Sequence, residues 1–396
     1  MSKSFDQVEL LVGDKVVYTN SFSPYDPILC NFLDAFSKEL NKKSTKVYPD
    51  LKSLSFWCRK KNIDRIKKNF LTNEIRAGKG LIFHIAPSNV PTNFMYSLIF
   101  GLLTGNSNIV RVPSKSFNQV KIICNLIKDL LKMKKFNSLK KNIKIVKYGN
   151  ENENFTKYIS SLCDVRIIWG GDKSIENIRR FPIKSRSFDL TFADRYSICL
   201  IDTDKLEKLN NSNLKLLTNK FYNDTYSFDQ NACSSPHLIF WKGKKNMKAR
   251  EKFWNNLKEL VEKKYDLPEK ATFDKFSKLC IDSTNLKNFQ FQKKFGEMIY
   301  IVNLKKIDKK IEHLRGKWGY FYEHEIKDIN EIKKVLSSKF QTLTYFGVKK
   351  NLLDTFAKSN LSGIDRIVPI GQALEISLVW DGYDINKTLT RVVDIK

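Results

Sequence analysis

Cysteine and histidine are among the residues in this sequence whose side chains could act as nucleophiles, bases or metal ligands. The chain has seven cysteines and four histidines. Cys233 is followed four residues later by His237, which leaves open a thiol–imidazole pair of a Cys-dependent thioesterase or acyltransferase. His237 leads into a predicted strand, however, and the sequence places none of the other three histidines beside Cys233.

The same residues argue against a metal centre. No cysteines and histidines cluster with the spacing of zinc ligands. His324 stands between Glu323 and Glu325, but neighbouring residues of a strand point to opposite faces, so this stretch is interpreted as polar surface. The sequence therefore predicts no bound metal.

The familiar nucleotide motifs are also missing. Gly78-Lys-Gly80 runs into a strand and lacks the third glycine of the dinucleotide fingerprint. There is no Gly-x-x-x-x-Gly-Lys-Ser/Thr segment, so an ATP-binding P-loop has no support. A nucleotide site, if present, has to be built differently.

Composition and charge limit the classes of protein to which this chain can belong. The chain has 396 residues, 42% of them hydrophobic, which is enough to bury a core and excludes a disordered basic tail. Its net charge of +28 raises nucleic acid as an alternative partner. Lysine runs such as Lys132–Lys135 and Lys305–Lys310 are interrupted by other residue types, and no RNA-binding motif is present. We expect a lysine-rich, solvated surface and no nucleic-acid partner.

The sequence also indicates where the protein works. Its longest apolar runs, such as Phe94–Leu103, are about half of the roughly 20 residues needed to span a bilayer. The segment Met1–Gln7 lacks the apolar core of a secretory signal. An odd number of cysteines without paired spacing favours free thiols in a reducing compartment. We expect a cytoplasmic protein with no membrane span.

From residue 80 the pattern alternates between strand and helix, which is typical of a parallel sheet with crossover helices. Strands are predicted at Leu81–Ile85, Ile109–Val112, Ile143–Tyr148 and Val165–Trp169, with Ser197–Ile201 closing this half. We expect a first domain over residues 1–202, to which 371–396 is a candidate to return, and a second α/β domain over 203–370. In open sheets of this kind, ligands bind at the carboxyl ends of the strands.

Four separated blocks carry a resemblance to a known family. They are Ile82–Pro91 with Ser97–Ser114, Ile167-Ile-Trp-Gly-Gly-Asp172, Asp229-Gln-Asn-Ala-Cys-Ser-Ser-Pro236, and Gly363–Gln372 with Trp380-Asp-Gly-Tyr383. In this order they resemble the long-chain acyl-CoA reductase family of bacterial luminescence systems (the LuxC family), within the aldehyde dehydrogenase superfamily.

The resemblance implies an α/β, aldehyde-dehydrogenase-like fold. A Rossmann-like NADP-binding domain without the glycine fingerprint would be joined to an α/β catalytic domain, with the active site in the cleft between them. It further implies reduction of a fatty-acyl thioester, on CoA or an acyl carrier, to the aldehyde with NADPH. An acyl-protein synthetase is a candidate partner, and oligomers of the same chain are usual in the superfamily.

The resemblance assigns catalytic roles to two residues. Cys233 matches the superfamily nucleophile, whose thiolate exchanges one thioester for another without ATP. Asn89 matches the asparagine whose amide, with the cysteine backbone N–H, forms the oxyanion hole. For the other six cysteines we expect structural roles.

Seven further residues match cofactor-binding positions. Arg111 stands where many relatives use lysine on the adenosine ribose, and Ser114 stands where NAD-preferring relatives often have glutamate. A guanidinium with no nearby carboxylate suits a 2′-phosphate, which favours NADP(H). The remaining positions lie in the two turns that would approach the cofactor, and they are Pro87, Ser88, Gly170, Gly171 and Asp172.

One segment departs from the hydrolytic aldehyde dehydrogenases. Where those enzymes have their glutamate base, this chain has Leu190-Thr-Phe-Ala-Asp-Arg195, with no glutamate at the aligned position. An enzyme that releases its acyl-cysteine with hydride does not need a base to activate water. This favours a reductase, with another CoA-acylating aldehyde dehydrogenase as the alternative.

Overall fold

A computed structural model describes residues 2–42, 48–70, 74–87, 90–244 and 246–396. The chain divides into two compact units, each with its own sheet: residues up to 193 with 383–396, and residues 194–382. Mixed α/β structure with largely parallel sheets agrees with the predicted fold class.

The first unit contains a six-stranded sheet in the order β1-β5-β4-β3-β6-β7. Strands β3 to β7 are parallel and β1 runs antiparallel to β5. The strands in this part of the first unit are β1 (Glu9–Val12), β2 (Ile75–Gly78), β3 (Leu81–Ile85), β4 (Ser107–Val112), β5 (Ile143–Lys147), β6 (Val165–Trp169) and β7 (Phe188–Phe192). Strand β2 lies outside the six-stranded sheet. Its helices are α1 (Pro27–Lys42), α2 (Pro49–Trp57), α3 (Lys60–Phe70), α4 (Asn93–Leu103), α5 (Asn118–Lys132), α6 (Glu153–Leu162) and α7 (Asp172–Arg179).

The second unit contains a seven-stranded sheet in the order β10-β11-β12-β9-β8-β13-β14, parallel except for β10. The strands of the second unit are β8 (Tyr196–Asp202), β9 (Pro236–Lys242), β10 (Phe289–Phe295), β11 (Ile299–Leu304), β12 (Tyr320–Ile326), β13 (Phe340–Phe346), β14 (Arg366–Pro369) and β15 (Val379–Trp380). Strand β15 lies outside the seven-stranded sheet. Its helices are α8 (Thr203–Glu207), α9 (Asn211–Thr225), α10 (Met247–Lys264), α11 (Glu269–Asn285) and α12 (Lys350–Ala357).

The chain then returns to the first unit. This segment contains β16 (Tyr383–Asp384), α13 (Ile385–Thr388) and β17 (Thr390–Val393). Strand β17 pairs with β2 in a small antiparallel sheet. Short 3₁₀ helices in the two units cover Ser2–Gln7, Lys134–Lys141, Tyr226–Phe228, Ile311–His313 and Ile329–Lys334.

Apolar residues cover both faces of the second sheet, as expected for central parallel strands. Along β8 and β9 the side chains alternate between two buried clusters. Ile198 and Leu238 belong to one cluster, and Cys199 and Ile239 to the other. In the first unit, α4 has ten buried residues and packs on β3 and β4. Its apolar surface therefore belongs to the core.

One predicted strand belongs to the other sheet. Ser197–Ile201 was expected to close the first half, but β8 pairs with β9 and β13 of the second sheet. The first unit accordingly ends at Ala193, nine residues before the expected boundary, and the returning segment starts at Tyr383. A strand that is buried along its whole length, such as β8, fits any buried parallel sheet, so its pattern does not specify its neighbours.

A buried ion pair joins β6 to β7 in the first unit. Arg166 contacts both carboxylate oxygens of Asp189, with Nε–Oδ1 and Nη2–Oδ2 distances of 2.7 and 2.9 Å. Its Nη1 donates to Ser160 Oγ and to the Phe181 carbonyl oxygen, both at 3.0 Å. With the Arg166 side chain only 1% exposed, the pair is required to compensate a buried charge.

We therefore expect Asp189→Asn to lower the free energy of unfolding by about 3 kcal/mol, because it leaves the buried guanidinium without a counter-ion. Urea denaturation measures the change. The matched control is Asp129→Asn, which breaks an exposed pair with Lys132 and should cost less than about 1 kcal/mol. Similar losses in the two variants would contradict this account of the β6–β7 junction.

Candidate functional site

Cys233 lies in a loop held in an unusual backbone conformation. The loop follows the 3₁₀ turn Tyr226–Phe228 and ends where β9 begins at Pro236. Asp229 and Gln230 have φ angles of 54° and 61°, in the left-handed region that non-glycine residues rarely adopt. The Asp229 carboxylate accepts a hydrogen bond from the Tyr265 hydroxyl, and its carbonyl oxygen accepts from the Trp318 N–H at 3.1 Å. These contacts fix the start of the loop.

The side chain of Gln230 holds the loop against β12. Its Nε2 donates to the carbonyl oxygens of Pro236 and Tyr320 at 3.0 and 3.1 Å. Its Oε1 accepts from the N–H of Gly319 at 3.2 Å. Gln230 is only 1% exposed, so it satisfies three backbone groups that water does not reach. Sequence reasoning missed this residue, although an amide side chain two residues into a matched block was a usable signal.

The Cys233 backbone is anchored from β8. The hydroxyl of Ser197 donates to the Cys233 carbonyl oxygen at 2.7 Å. The same hydroxyl accepts from the N–H of Thr342 on β13 at 3.2 Å. Cys233 is half-buried, whereas Cys58, Cys124, Cys163 and Cys199 are fully buried in the core. All seven cysteines lie within the described ranges and are free thiols.

Charged groups surround the Cys233 thiol. Burial raises its pKa above the ordinary value, and the backbone N–H of Arg195 acts in the opposite direction. The carboxylates of Asp194 and Asp381 raise the pKa further, and the Arg315 guanidinium lowers it. The net result is a thiol whose pKa is above that of a free cysteine.

Arg315 holds the segment that contains Asp194 and Arg195 through two hydrogen bonds. Its Nη1 donates to Asp194 Oδ1 and its Nη2 to the Arg195 carbonyl oxygen, both at 2.9 Å. The Arg195 guanidinium in turn donates to the carbonyl oxygens of Lys339 and Phe340 and pairs with Asp365. The segments carrying Asp194, Arg195, Cys233 and Arg315 precede β8, β9 and β12. The site therefore lies at the amino end of this parallel sheet.

The last matched block is tied to the Cys233 loop through Asp224. Its carboxylate accepts from the N–H groups of Gly371 and Ala373 at 2.6 and 3.0 Å. Its carbonyl oxygen accepts from Ser235 Oγ at 2.7 Å. Burial raises the pKa of the Asp224 carboxyl to about 7. Two of the four matched blocks thus meet at this residue, one on its carboxylate and one on its carbonyl oxygen, and sequence reasoning missed it.

The histidines do not form a catalytic pair with Cys233. His237 is buried, stacks on Tyr196 with 5.4 Å between ring centroids, and burial lowers its pKa to about 3. Among the described hydrogen bonds none joins a histidine to the Cys233 sulfur. His84 is buried in the first unit between Ser97 Oγ and Asn108 Oδ1, at 2.7 and 2.9 Å. The thiol–imidazole interpretation therefore has no structural support.

The first unit has a topological switch point between β3 and β6. From β3 the chain proceeds to β4 and β5 on one side, and then to β6 on the other side of β3. In open α/β sheets, ligands bind at the carboxyl ends of the strands next to such a point. Pro87 follows β3 and is half-buried. The adjacent Ser88 and Asn89 lie outside the described residues.

Gly170 and Gly171 follow β6 at the same switch point. The N–H of Gly170 donates to the Phe192 carbonyl oxygen at 3.1 Å, and a Cβ there would be 3.2 Å from Ser174 Cβ. A Cβ on Gly171 would meet no atom within 4 Å, and its φ of −69° suits any residue. Nothing in the fold requires glycine at 171, which leaves room for the close approach of a ligand. Asp172 is exposed and begins α7.

Arg111 lies on β4 beside the switch point and is 8% exposed. Its Nη2 donates to Asn150 Oδ1 at 2.6 Å and to the Tyr148 carbonyl oxygen at 3.3 Å. The guanidinium lies 4.4 Å from the centroid of the Tyr148 ring. Within the described chain it has no carboxylate partner. Ser114 is exposed after the end of β4.

Two classes of feature are absent from the described residues. No group of three or more His, Cys, Asp or Glu side chains there could hold a metal ion. No described helix is both long and apolar enough to cross a membrane.

The sequence is similar to a known protein family and to proteins of known function. The profile of the family described as acyl-CoA reductase (LuxC) matches residues 24–392. The chain is 25% identical over 213 residues to long-chain acyl-protein thioester reductase 2 of Photobacterium leiognathi, covering 51% of this chain and 41% of that protein. It is 22% identical over 337 residues to long-chain acyl-protein thioester reductase of Vibrio harveyi, covering 80% of this chain and 63% of that protein. It thus spans less than two thirds of the length of either relative.

Solved structures match the fold. The aldehyde dehydrogenase KauB from Pseudomonas aeruginosa superimposes with a TM-score of 0.65 at 11% identity, over 93% of this chain and 83% of that one. At this identity the similarity establishes an aldehyde-dehydrogenase-like fold, in agreement with the predicted fold class.

The role of Gln230 in holding the Cys233 loop can be tested by substitution. We expect Gln230→Leu to lower the free energy of unfolding by about 2–3 kcal/mol, because buried backbone groups lose their partners. The control is Asn231→Leu, whose exposed side chain bonds only within its own loop and should change stability by about 0.5 kcal/mol or less. Thermal and urea unfolding measure both. Equal effects would show that Gln230 does not hold the loop.

Proposed function

The chain belongs to the acyl-CoA reductase (LuxC) family, and we propose that it reduces a fatty-acyl thioester to the aldehyde with NADPH through an acyl-Cys233 intermediate. In the first half of this reaction the Cys233 sulfur bonds to the acyl carbon and the donor thiol leaves with the proton. In the second half the acyl carbon accepts a hydride and a proton is taken up. Collapse of the thiohemiacetal then releases the aldehyde and restores the thiol.

The observation that carries the proposal is the environment of Cys233. It is half-buried in a loop fixed by the side chains of Ser197 on β8 and of Gln230, which suits a nucleophile that must be reached by substrate and held in one orientation. Thioester exchange between two thiols is nearly balanced in free energy, so no ATP is required. The absence of a glutamate at the aligned position in Leu190–Arg195 agrees with release by hydride.

The tetrahedral oxygen formed on attack needs hydrogen-bond donors. By the family resemblance we assign this role to the Asn89 side-chain amide and the Cys233 backbone N–H. Two neutral donors aimed at a developing oxyanion are worth a few kcal/mol of the barrier.

The first unit offers groups that suit a dinucleotide. The Gly170–Gly171 turn at the β3–β6 switch point and the N–H groups of the first turn of α7 would hold the pyrophosphate. By the family resemblance, Pro87 and Ser88 are also assigned to cofactor binding, and Asp172 is assigned through its backbone N–H. A bound dihydronicotinamide supplies the hydride. The chain's own contribution is to bind and orient it.

Preference for NADPH is assigned to Arg111 and Ser114. Nη2 of Arg111 is held by Asn150 and the Tyr148 carbonyl, while Nε and Nη1 make no hydrogen bond within the described part of the chain. A guanidinium so oriented, without a carboxylate, suits a 2′-phosphate. Exposed Ser114 adds no negative charge nearby.

The acyl donor is proposed from the relatives' names, which describe acyl-protein thioesters, alongside the family description as acyl-CoA reductase. We propose a fatty-acyl group carried on CoA or on a protein, with an acyl-protein synthetase as the candidate supplier. A cytoplasmic location and a homo-oligomer remain predictions. A preference for short acyl chains would favour the alternative of another CoA-acylating aldehyde dehydrogenase.

Trapping the intermediate tests the nucleophile. We expect incubation with mass-tagged acyl-CoA or acyl carrier, without NADPH, to label the peptide containing Cys233, because the second half-reaction is then blocked. NADPH should remove the label, and Cys233→Ala should abolish it. The matched control is Cys280→Ala, which removes an exposed free thiol and should leave labelling unchanged. Label on another cysteine would overturn the assignment, and free acid released without NADPH would indicate a thioesterase.

A charge placed at Ser114 tests the cofactor preference. We expect Ser114→Glu to raise the KM for NADPH about tenfold or more by repelling the 2′-phosphate, with little change for NADH, which lacks that group. Initial rates with the two cofactors measure the ratio. Ser114→Gln, similar in size but neutral, is the control. An equal rise for both cofactors would contradict the placement of the 2′-phosphate.

A further inference from the structure

Arg111 has a buried guanidinium whose hydrogen bonds go only to neutral oxygens. The residue is 8% exposed. Within the ranges that the structure describes, its Nη2 donates to Asn150 Oδ1 at 2.6 Å and to the Tyr148 carbonyl oxygen at 3.3 Å. A charge held away from water is costly unless an opposite charge compensates it. Among the described residues none pairs with Arg111 to supply that charge, so an anionic group of a ligand suits the position.

An aromatic ring fixes the plane of this guanidinium. Its central carbon lies 4.4 Å from the centroid of the Tyr148 ring, close enough for a cation–π contact. The Tyr148 ring is itself held by α6. Its hydroxyl lies 2.9 Å from Thr156 Oγ1, and Phe155 meets the ring edge-on with 5.2 Å between centroids. The ring therefore supports Arg111 from a fixed position.

Asn150 fixes the rotation of the guanidinium within that plane. Nη2 has two N–H groups, and its two partners are the Asn150 side-chain oxygen and the Tyr148 carbonyl oxygen. With Nη2 engaged, the guanidinium cannot rotate freely over the ring. Nη1 makes no hydrogen bond within the described residues, so its N–H groups remain available for another acceptor.

The chemical type of residue 150 matters as much as its position. An asparagine oxygen orients the guanidinium through a hydrogen bond but carries no net charge. Aspartate has nearly the same shape, but its carboxylate would form an ion pair with Arg111 and compensate the positive charge inside the protein. Asparagine therefore holds Arg111 while leaving its charge for a ligand.

These residues lie at the edge of the first sheet where a ligand is expected. In the parallel register of β4 and β5, Arg111 pairs with Val146, so the segment 148–150 continues beyond the carboxyl end of β5 next to Arg111. Strand β4 also neighbours β3, which borders the switch point. Adjacent strands are about 4.8 Å apart, which places the guanidinium beside the crevice in which ligands of open sheets bind.

We propose that Asn150 is a positioning residue that sets the cofactor preference: it holds Arg111 against the Tyr148 ring without neutralising it, so that the guanidinium selects a nucleotide with a 2′-phosphate. The proposal rests on the proposed function, because it assigns the origin of the NADPH preference to a residue that does not itself contact the phosphate.

Two nucleotides that differ only in the 2′-phosphate test this assignment without any turnover. Adenosine 2′,5′-bisphosphate and adenosine 5′-monophosphate are titrated into the full chain, and calorimetry gives the two dissociation constants. We expect the wild type to bind the bisphosphate about tenfold or more tightly than the monophosphate. Asn150→Asp should weaken bisphosphate binding about tenfold or more, because its carboxylate pairs with Arg111 and repels the phosphate. Monophosphate binding should stay within about threefold of the wild type, since that nucleotide lacks the group.

The matched control is Asn154→Asp. This substitution adds the same charge to an exposed position in the first turn of α6, whereas the described hydrogen bonds of Arg111 go to residues 148 and 150. The ratio of the two dissociation constants should match that of the wild type. A loss equal to that of Asn150→Asp would indicate a general effect of negative charge and would overturn the proposal.

Asn150→Ala separates orientation from charge. It removes the hydrogen bond to Nη2 and adds no carboxylate, so we expect bisphosphate binding to weaken about threefold while monophosphate binding is unchanged. Tighter bisphosphate binding would mean that Asn150 competes with the phosphate for the guanidinium. That result, or an unchanged ratio in this variant, would contradict the positioning role.

The outcomes also distinguish this proposal from the proposed function. A wild type without preference for the bisphosphate would count against NADPH and against the role of Asn150 together. A wild-type preference that persists in Asn150→Asp would overturn the role of Asn150 alone. Because no acyl donor is used, failure of acyl labelling would count against the Cys233 intermediate and leave this result standing.

Discussion

The need to satisfy buried polar groups in an irregular loop is the constraint on which the Cys233 site depends. The loop lies where water does not reach several of its backbone groups, and each must find a partner within the protein. Gln230 supplies three hydrogen bonds, Ser197 supplies one to the Cys233 carbonyl, and Asp224 joins the loop to the 371–373 segment. The proposed nucleophile is thus fixed by side chains from its own loop and from neighbouring segments.

Two arginines organise the charges that this packing brings together. Arg315 pairs with Asp194 and holds the Arg195 carbonyl, while the Arg195 guanidinium pairs with Asp365 and lies 3.9 Å from Asp381. Guanidinium groups suit this task because their rigid fork bonds several oxygens at once. The result is a set of ion pairs and hydrogen bonds that holds the segments before β8 and β12 together.

The sequence was sufficient for the fold class and for the blocks that bound the site, because alternating strands and helices and four ordered motifs are local signals. It was not sufficient for β8, whose largely apolar pattern fits either sheet. Gln230 and Asp224 were missed because their roles arise from partners distant in sequence, Tyr320 and Gly371 respectively. Asn89 lies outside the described residues, so its assignment still depends on the resemblance alone.

The two sheets use opposite ends for their candidate sites, and the chemistry explains why. The first sheet has its switch point and the Gly170–Gly171 turn at the carboxyl ends of β3 and β6, where a following helix offers N–H groups to an anion. The second sheet has Cys233 at the amino ends, where a segment entering a strand can turn an N–H outwards. The backbone N–H of Arg195, in the segment entering β8, acts to lower the pKa of the Cys233 thiol. A nucleophile that must become an anion benefits from such a donor, whichever end of the sheet provides it.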